Sequence, residues 1–537
     1  MPTVQVPLSS DVMTNVDQTS VRDGNYQLFN ATTDESGATV GLPGSSSFYT
    51  QLNSFTSSNE TGALNPLITG MAWASKKNTL MVAVGQTITG LQLRNDPQPD
   101  SSLVTGTEAT EATYGDAIIQ RDPTGNSVIA PHVSVVGVST YPNTYSLWGS
   151  LGTNPAKFMY DGDTKVYAVG GGVPVSATFT STGFSVAGPT NRDVSLIANM
   201  PTTVTHVGYL DSYALMNSVG ANYFQFSNVT DVSTWTASDL ASAAGSEDNI
   251  TALAIFNRRI YLFGRQSIEI WENDGVTPFS RVSGGFIEGG TVAPYSVVTA
   301  NQSVFWLDAT RRFATFSGSD VSYLTSPFDK ELSSLPFVRD AQGYSCFING
   351  DVFIFWDFPS AQKTYCVKLR GDNLTWSQVG RWNGDVFLGS SVTGWTSVPE
   401  AGITLCYNKG GSTLYALNPE SRVDGPTGVP LRFARVTGHL DFGTHKRKLA
   451  KSMLIRLKRG HGTTTTTPYA VLRWRDNGEG PWTGERHIDL GRQGEREITA
   501  KLPRMGVFRT RQFELAVTDS VPVNIVSAEM DLEVLGA

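Results

Sequence analysis

The chain has 537 residues, long enough to bury several cores without disulfide or metal staples. Charged residues make up only 16% and glycines number 53, a turn-rich, low-charge texture that excludes a disordered tail or a coiled coil. The net charge of −8 hides a change of sign: residues 432–537 carry a surplus of +6, which leaves −14 for the rest, an asymmetry that marks a separate domain or a charged partner.

Residues 1–70 are polar and thin in apolar side chains. They are expected to form an extended arm or strands added to another domain. The N-terminus (MPTVQVPLSSDV) lacks a basic n-region and an apolar h-region, so no secretory signal is expected. No stretch of about 18 apolar residues reads as a membrane span.

From residue 71 to 419 one grammar recurs: a polar turn, an apolar strand, a Gly or Asp turn, then a second strand ending in Leu, Phe or Trp. The stretch NRRIYLFGRQSIEIWENDG, from Asn257, shows it plainly. Ile260 to Phe263 reads as a strand, Gly264-Arg265-Gln266 as a tight connection, Ser267 to Trp271 as a second strand, and Asn273-Asp274-Gly275 as a closing turn. Units of the same kind start at Asn78, Asp163, Asp211, Asn301, Asn349 and Gly402. From Asp163 onward the starts lie about 48, 46, 44, 48 and 53 residues apart. Strand pairs at this period point to propeller blades, which bury both faces of each sheet against their neighbours. The interval from Asn78 to Asp163 is too long for one blade and too short for two, so six or seven blades are expected. No WD or kelch signature is present, which makes the propeller divergent; an array of sandwiches with coincidental spacing is the alternative. Two short helices are expected to decorate loops, at Asp239 to Ala244 and at Lys330 to Ser334.

After Pro419 the texture changes. A Gly/Pro-rich boundary leads into residues 420–537, where six strand-like runs read as an antiparallel sandwich or barrel. The fold class is therefore all-β: a propeller plus a C-terminal β domain. Thr463 to Thr467 reads as an exposed hairpin loop.

Chemistry-bearing motifs are incomplete. Val169-Gly170-Gly171-Gly172 lacks the Lys-Ser/Thr of a phosphate loop. Asp161-Gly162-Asp163 lacks the later ligands of a calcium loop. Six scattered His residues have no metal-ligand spacing, and Ser345 lies outside a GxSxG frame. Glu269 and Glu272 read as solvated. Cys346, Cys366 and Cys406 read as three small buried apolar residues. No catalytic residue, metal or cofactor is expected. The strongest hint is basic: Lys446, Arg447, Lys448, Lys451, Arg456, Lys458 and Arg459 crowd together, and Arg509 and Arg511 share one face by strand alternation. Such clusters meet phosphates or acidic protein surfaces, and these residues are the candidate protein-docking set.

Two regions resemble a known family. Asn257 to Leu307, with its Gly then Ser-x-Ile-Glu hairpin, Gly289 or Gly290, and the strand Ser303-Val304-Phe305-Trp306-Leu307, is similar to the central segment of the packaged-DNA stabilisation protein of short-tailed phages, the tail nozzle or hub. Leu431 to Gly536 resembles that family's last domain in strand order. The resemblance implies a non-enzymatic virion component at the tail tip: a ring, six-fold in the family, below the portal and adaptor. It would hold a tail fibre or tailspike, and in some relatives a needle or plug closes the tube. Double-stranded DNA would pass without sequence-specific binding. On this reading Ile260, Leu262, Ile268 and Ile270 pack blade on blade, and Arg258, Arg259 and Glu269 sit at edges or subunit contacts. The acidic region is expected to line the conduit, because phosphate affinity rises with the positive charge it meets. The basic domain is expected to dock on acidic neighbours. The competing reading is a glycan-binding propeller or glycoside hydrolase acting at the central mouth.

Overall fold

The recurring polar starts are the turns between the first and second strand of each blade. In four blades they hold two consecutive left-handed residues: Asp211-Ser212, Asn257-Arg258, Asn301-Gln302 and Asn349-Gly350. That is the type I′ geometry whose twist matches paired strands. In another, Asp161 Oδ1 accepts from the amides of Asp163, Thr164 and Lys165 at 2.8, 2.9 and 3.0 Å. The last two close with a 3-10 turn and a left-handed cap, Asn78 or Gly402. The computed structural model describes residues 3–8, 27–34, 38–49, 67–84, 87–94, 113–114, 117–121, 127–137, 154–180, 183–187 and 198–536, apart from 230, 319, 372, 385, 420, 459–467, 479, 493–494 and 496.

The described residues form seven blades. Their innermost strands are Ile68–Ala74, Lys157–Tyr160, Val207–Leu210, Ala252–Phe256, Val298–Ala300, Gln342–Ile348 and Val392–Val398. Each adjoins the next, and the last returns to the first, so the ring closes. The long Asn78–Asp163 interval arises in blade one, before Lys157–Tyr160 opens blade two: Ser127–Gly137 pairs with Thr87–Arg94, and Ala117–Arg121 and Thr113–Tyr114 extend that sheet to six strands.

Why the second strands carry unbroken apolar runs follows from this arrangement. In Arg259–Phe263, Ile260 and Leu262 enter the core against blade three, while Tyr261 and Phe263 enter the core against blade five. Both faces are covered, so both parities must be apolar. Seven such cores lie between the seven blades. Each fully buried Leu, Ile or Phe contributes roughly 1.5–3 kcal/mol over its exposed state.

The C-terminal domain follows the opposite rule. Strand Lys448–Lys458 buries Ala450, Met453, Ile455 and Leu457 and turns Arg456 and Lys458 outward, with a register shift between Ala450 and Ser452 resetting the alternation. One face is solvated, as in antiparallel sheets with one core side. Two sheets enclose one apolar core, which makes the domain a sandwich.

The N-terminal residues stitch these bodies together. Gln27–Phe29 pairs with Phe433–Val436 of the sandwich on one side and meets Asn373–Gln378, the outer strand of blade six, on the other. Blade six and one sandwich sheet thereby form a single nine-stranded sheet. Thr3–Gln5 and the Ala31–Thr33/Thr39–Gly41 hairpin join the other sandwich sheet. Gly44–Tyr49 then becomes the outermost strand of blade seven, paired with Leu414–Asn418.

One helix expected from the sequence is present, Asp329–Ser334. The other is not. Residues 239–242 end the long strand Asp231–Ser242, and Ala243 and Ala244 lie beyond it, because Tyr223–Asn228 offers that segment a ladder partner. Cys346, Cys366 and Cys406 are buried and free, in the core between blades six and seven, where burial raises every thiol pKa.

Candidate functional site

The basic segment does not form one surface. Lys446 and Arg447 are exposed on the loop before the first long sandwich strand. Lys448 is 1% exposed, and its Nζ donates to the Thr444 and Lys446 carbonyls, so it closes that loop and is not free to dock. Lys451 is paired with Glu533 at 2.6 Å. Arg456 and Lys458 stand exposed on the outer face, opposite Thr499 and Glu497. Arg459 and Thr463 to Thr467 lie outside the described residues. Arg509 sits in the turn before its strand, and Arg511 begins the strand with its side chain inside the core. Asp476 receives Arg511 bidentately at 2.6 and 2.8 Å, and the Phe508, Trp474 and Phe513 rings surround the guanidinium. Arg509 and Arg511 do not share a face as strand alternation predicts: Arg509 is exposed outside the strand and Arg511 is internal. Lys448 and Arg511 are therefore structural, not docking residues.

Glu269 also needs correction. It is 3% exposed, accepts from Gly245 N at 2.7 Å and Trp271 Nε1 at 2.9 Å, and has Arg281 4.0 Å away. It is an internal fastener of blade four and neither a solvated nor an edge residue. Arg258 is exposed and pairs with Asp211 at 2.9 Å, and Arg259 reaches Glu272 at 3.7 Å.

Two recesses concentrate polar side chains. The larger, about 730 Å³, opens on the end of the propeller where blades two to six begin their innermost strands. Asp248, Asp340, Arg265 and Arg339 line it, with Phe337 and Tyr295. Beside it, His206 stacks on Tyr295 with ring centroids 5.2 Å apart. His206 is buried, which pushes its pKa down to about 3, and the Lys157 charge adds to the effect. Burial lowers Lys157 itself to about 8. Among the described residues no cluster of three or more His, Cys, Asp and Glu could hold a metal.

The second recess, about 310 Å³, lies where the propeller meets the sandwich. Its floor is one face of the nine-stranded sheet. Strand register sets Phe29 beside Ala434, Val436 beside Glu514, and Arg473 and Arg475 opposite Glu514 and Gln512. Glu514 accepts from Arg432 at 2.7 Å and from Arg473 at 2.8 and 2.9 Å. Arg432 lies over Trp382 at 4.2 Å; Arg473 and Arg475 lie over Trp482 at 5.0 and 4.9 Å. The sequence reading missed this site. Its residues come from five separated segments, and only the Arg-Trp-Arg triplet at 473–475 and Trp482 hinted at it. There the middle Trp474 is core and the flanking arginines share the opposite face.

The fold is a seven-bladed β-propeller joined through a shared sheet to a β-sandwich. Residues 152–315, which span blades two to four and most of blade five, match the family model described as Bacteriophage P22 Gp10, beta-propeller. The match supports a phage tail-related protein and a component of the virion. A search of curated proteins returns no significant match. Among solved structures the chain is similar to the Pseudomonas aeruginosa periplasmic gluconolactonase PpgL, at 10% identity over 69% of this chain and 94% of that one, TM-score 0.37. It is also similar to the N-terminal domain of Nup159, at 9% identity over 73% and 98%, TM-score 0.34, and to Hsv2 of Kluyvelomyces marxianus, at 8% identity over 54% and 94%, TM-score 0.30.

Proposed function

We propose that the chain is a structural, non-enzymatic nozzle or hub protein of a short phage tail. Copies form a closed ring, six by resemblance, through head-to-tail contacts. The ring encloses the conduit for double-stranded DNA below the portal and adaptor, retains the packaged genome, and carries a fibre or tailspike; a needle or plug closes it. The observation that carries the reading is the match of residues 152–315, which falls on consecutive blades of one propeller. The nine-stranded sheet supports it further: a wall under pressure needs its domains fixed to one another, and here backbone hydrogen bonds cross the junction. The acidic propeller region is assigned to the conduit side and the basic sandwich to neighbouring proteins.

Electron microscopy of the intact particle with a labelled copy of this chain tests the proposal. Density for a ring of copies at the tail, on the axis of DNA exit, is expected. A label elsewhere in the particle, or turnover of a glycan panel by the purified chain, would overturn it.

A further inference from the structure

We infer that the recess between propeller and sandwich receives a carboxylate-bearing segment of a partner protein. Three guanidiniums converge there. Arg432 and Arg473 share the one carboxylate of Glu514, and Glu485 acts on Arg432 from nearby. Arg475 has no carboxylate within ion-pair distance among the described residues: its Nε is committed to Gln512 Oε1 at 2.5 Å, which leaves the outer nitrogens of its fork unassigned. The recess therefore keeps a positive surplus. The Arg475 guanidinium lies 4.9 Å over the Trp482 ring and its Nε is bonded to Gln512, contacts that restrict the side chain before a carboxylate arrives.

The walls decide the class of partner. Phe29 and Val436 on the floor, with Phe387 packed 4.6 Å from Phe29, give an apolar surface, and a volume of about 310 Å³ admits one or two side chains. A DNA duplex cannot enter such a space, and phosphates along a strand need cations spread in a line. An extended peptide that alternates an acidic with an apolar residue satisfies both halves: the carboxylate meets Arg475 as a fork, and the apolar neighbour covers Phe29 and Phe387. This moves the docking site from the linear basic run to a place where both domains contribute. That the peptide belongs to a neighbouring tail protein rests on the function proposed above; the chemistry of the recess does not.

Fluorescence anisotropy on the full chain tests it, with a labelled peptide of alternating Glu and Leu, a Gln/Leu counterpart, and a duplex oligonucleotide as competitor. The acidic peptide is expected to bind at least tenfold tighter than the neutral one. Arg475→Gln should weaken it about tenfold, Arg475→Lys by less, and Lys458→Gln, on the other sheet, not at all. Circular dichroism of each variant confirms that it is folded. Equal binding of the two peptides, an unchanged affinity in Arg475→Gln, or displacement by duplex at lower concentration than by the unlabelled acidic peptide would overturn the inference. Loss of peptide binding would leave the chain's place in the particle untouched, and a label away from the tail would leave peptide binding untouched, so the two readings fail separately.

Discussion

His206 offers a direct test of how the propeller's interior is held. Its ring is 3% exposed and stacks on Tyr295, and its Nδ1 lies 3.1 Å from Thr205 Oγ1. Burial is the main reason its pKa falls to about 3, and Lys157 repels the added proton; the Pro294 carbonyl acts the other way. In the unfolded chain the same imidazole titrates near ~6.5. Between those values the unfolded state takes up a proton that the folded state refuses. The contribution is therefore complete above about pH 6.5 and is lost as pH falls toward about 3. One pH unit corresponds to about 1.4 kcal/mol, so at pH 5 the loss is about 2 kcal/mol, and it reaches about 4 kcal/mol at pH 3. His206→Gln removes the titration and keeps a polar group near Thr205. Urea denaturation followed by tryptophan fluorescence, at pH 7 and pH 5, measures the difference. The parent chain should lose about 2 kcal/mol more than the variant across that interval. Identical losses would refute the reasoning.

Other consequences are as direct. Asp476→Ala leaves the Arg511 charge inside the sandwich without its partner and should cost about 3–5 kcal/mol in denaturation experiments, whereas Asp476→Leu with Arg511→Met should recover most of it. Trp356→Ala removes a fully buried ring packed 4.3 Å from Phe313 and should cost about 3–5 kcal/mol by the same measurement. A Cβ on Gly44 would lie 2.5 Å from the Val423 carbonyl oxygen, so Gly44→Val should detach the closing strand of blade seven. Hydrogen exchange should then show lost protection at Leu414–Asn418.

The fold was legible where local pattern and global packing demand the same residues. The Asn257 unit could be read as a hairpin because the I′ turn wants Asn, and because a blade wants apolar residues of both parities in Ile260 to Phe263. The count stayed open between six and seven because blade one carries an inserted hairpin that stretches the period. What could not be read was long-range. Gly44–Tyr49 (GSSSFY) carries hardly any apolar signal, since an outermost strand faces solvent, and only its ladder with Leu414–Asn418 defines it. Charge was the least legible. Lys448, Arg511 and Glu269 look like surface residues in sequence, and each is buried because a partner, distant in the chain for Arg511, satisfies it. Conversely, Arg473 and Arg475 gain their importance only from Glu514, Gln512 and Trp482 brought in by register.

The ladder between Thr3–Gln5 and residues 529–531 sets a clock on biosynthesis. A ribosome adding about 5–20 residues per second needs roughly half a minute to two minutes for a chain of this length. Throughout that time the first strands to emerge have no place to go. Blades two to five can form as they appear, from neighbours in sequence. The seventh cannot close until Leu414–Asn418 captures Gly44–Tyr49, and the sandwich cannot knit until Asn524–Val534 is out. A chain cut short by a dozen residues would thus carry a closed disc beside a sandwich that lacks most of Asn524–Val534, a defect that a quality-control protease could recognise before any copy enters a particle.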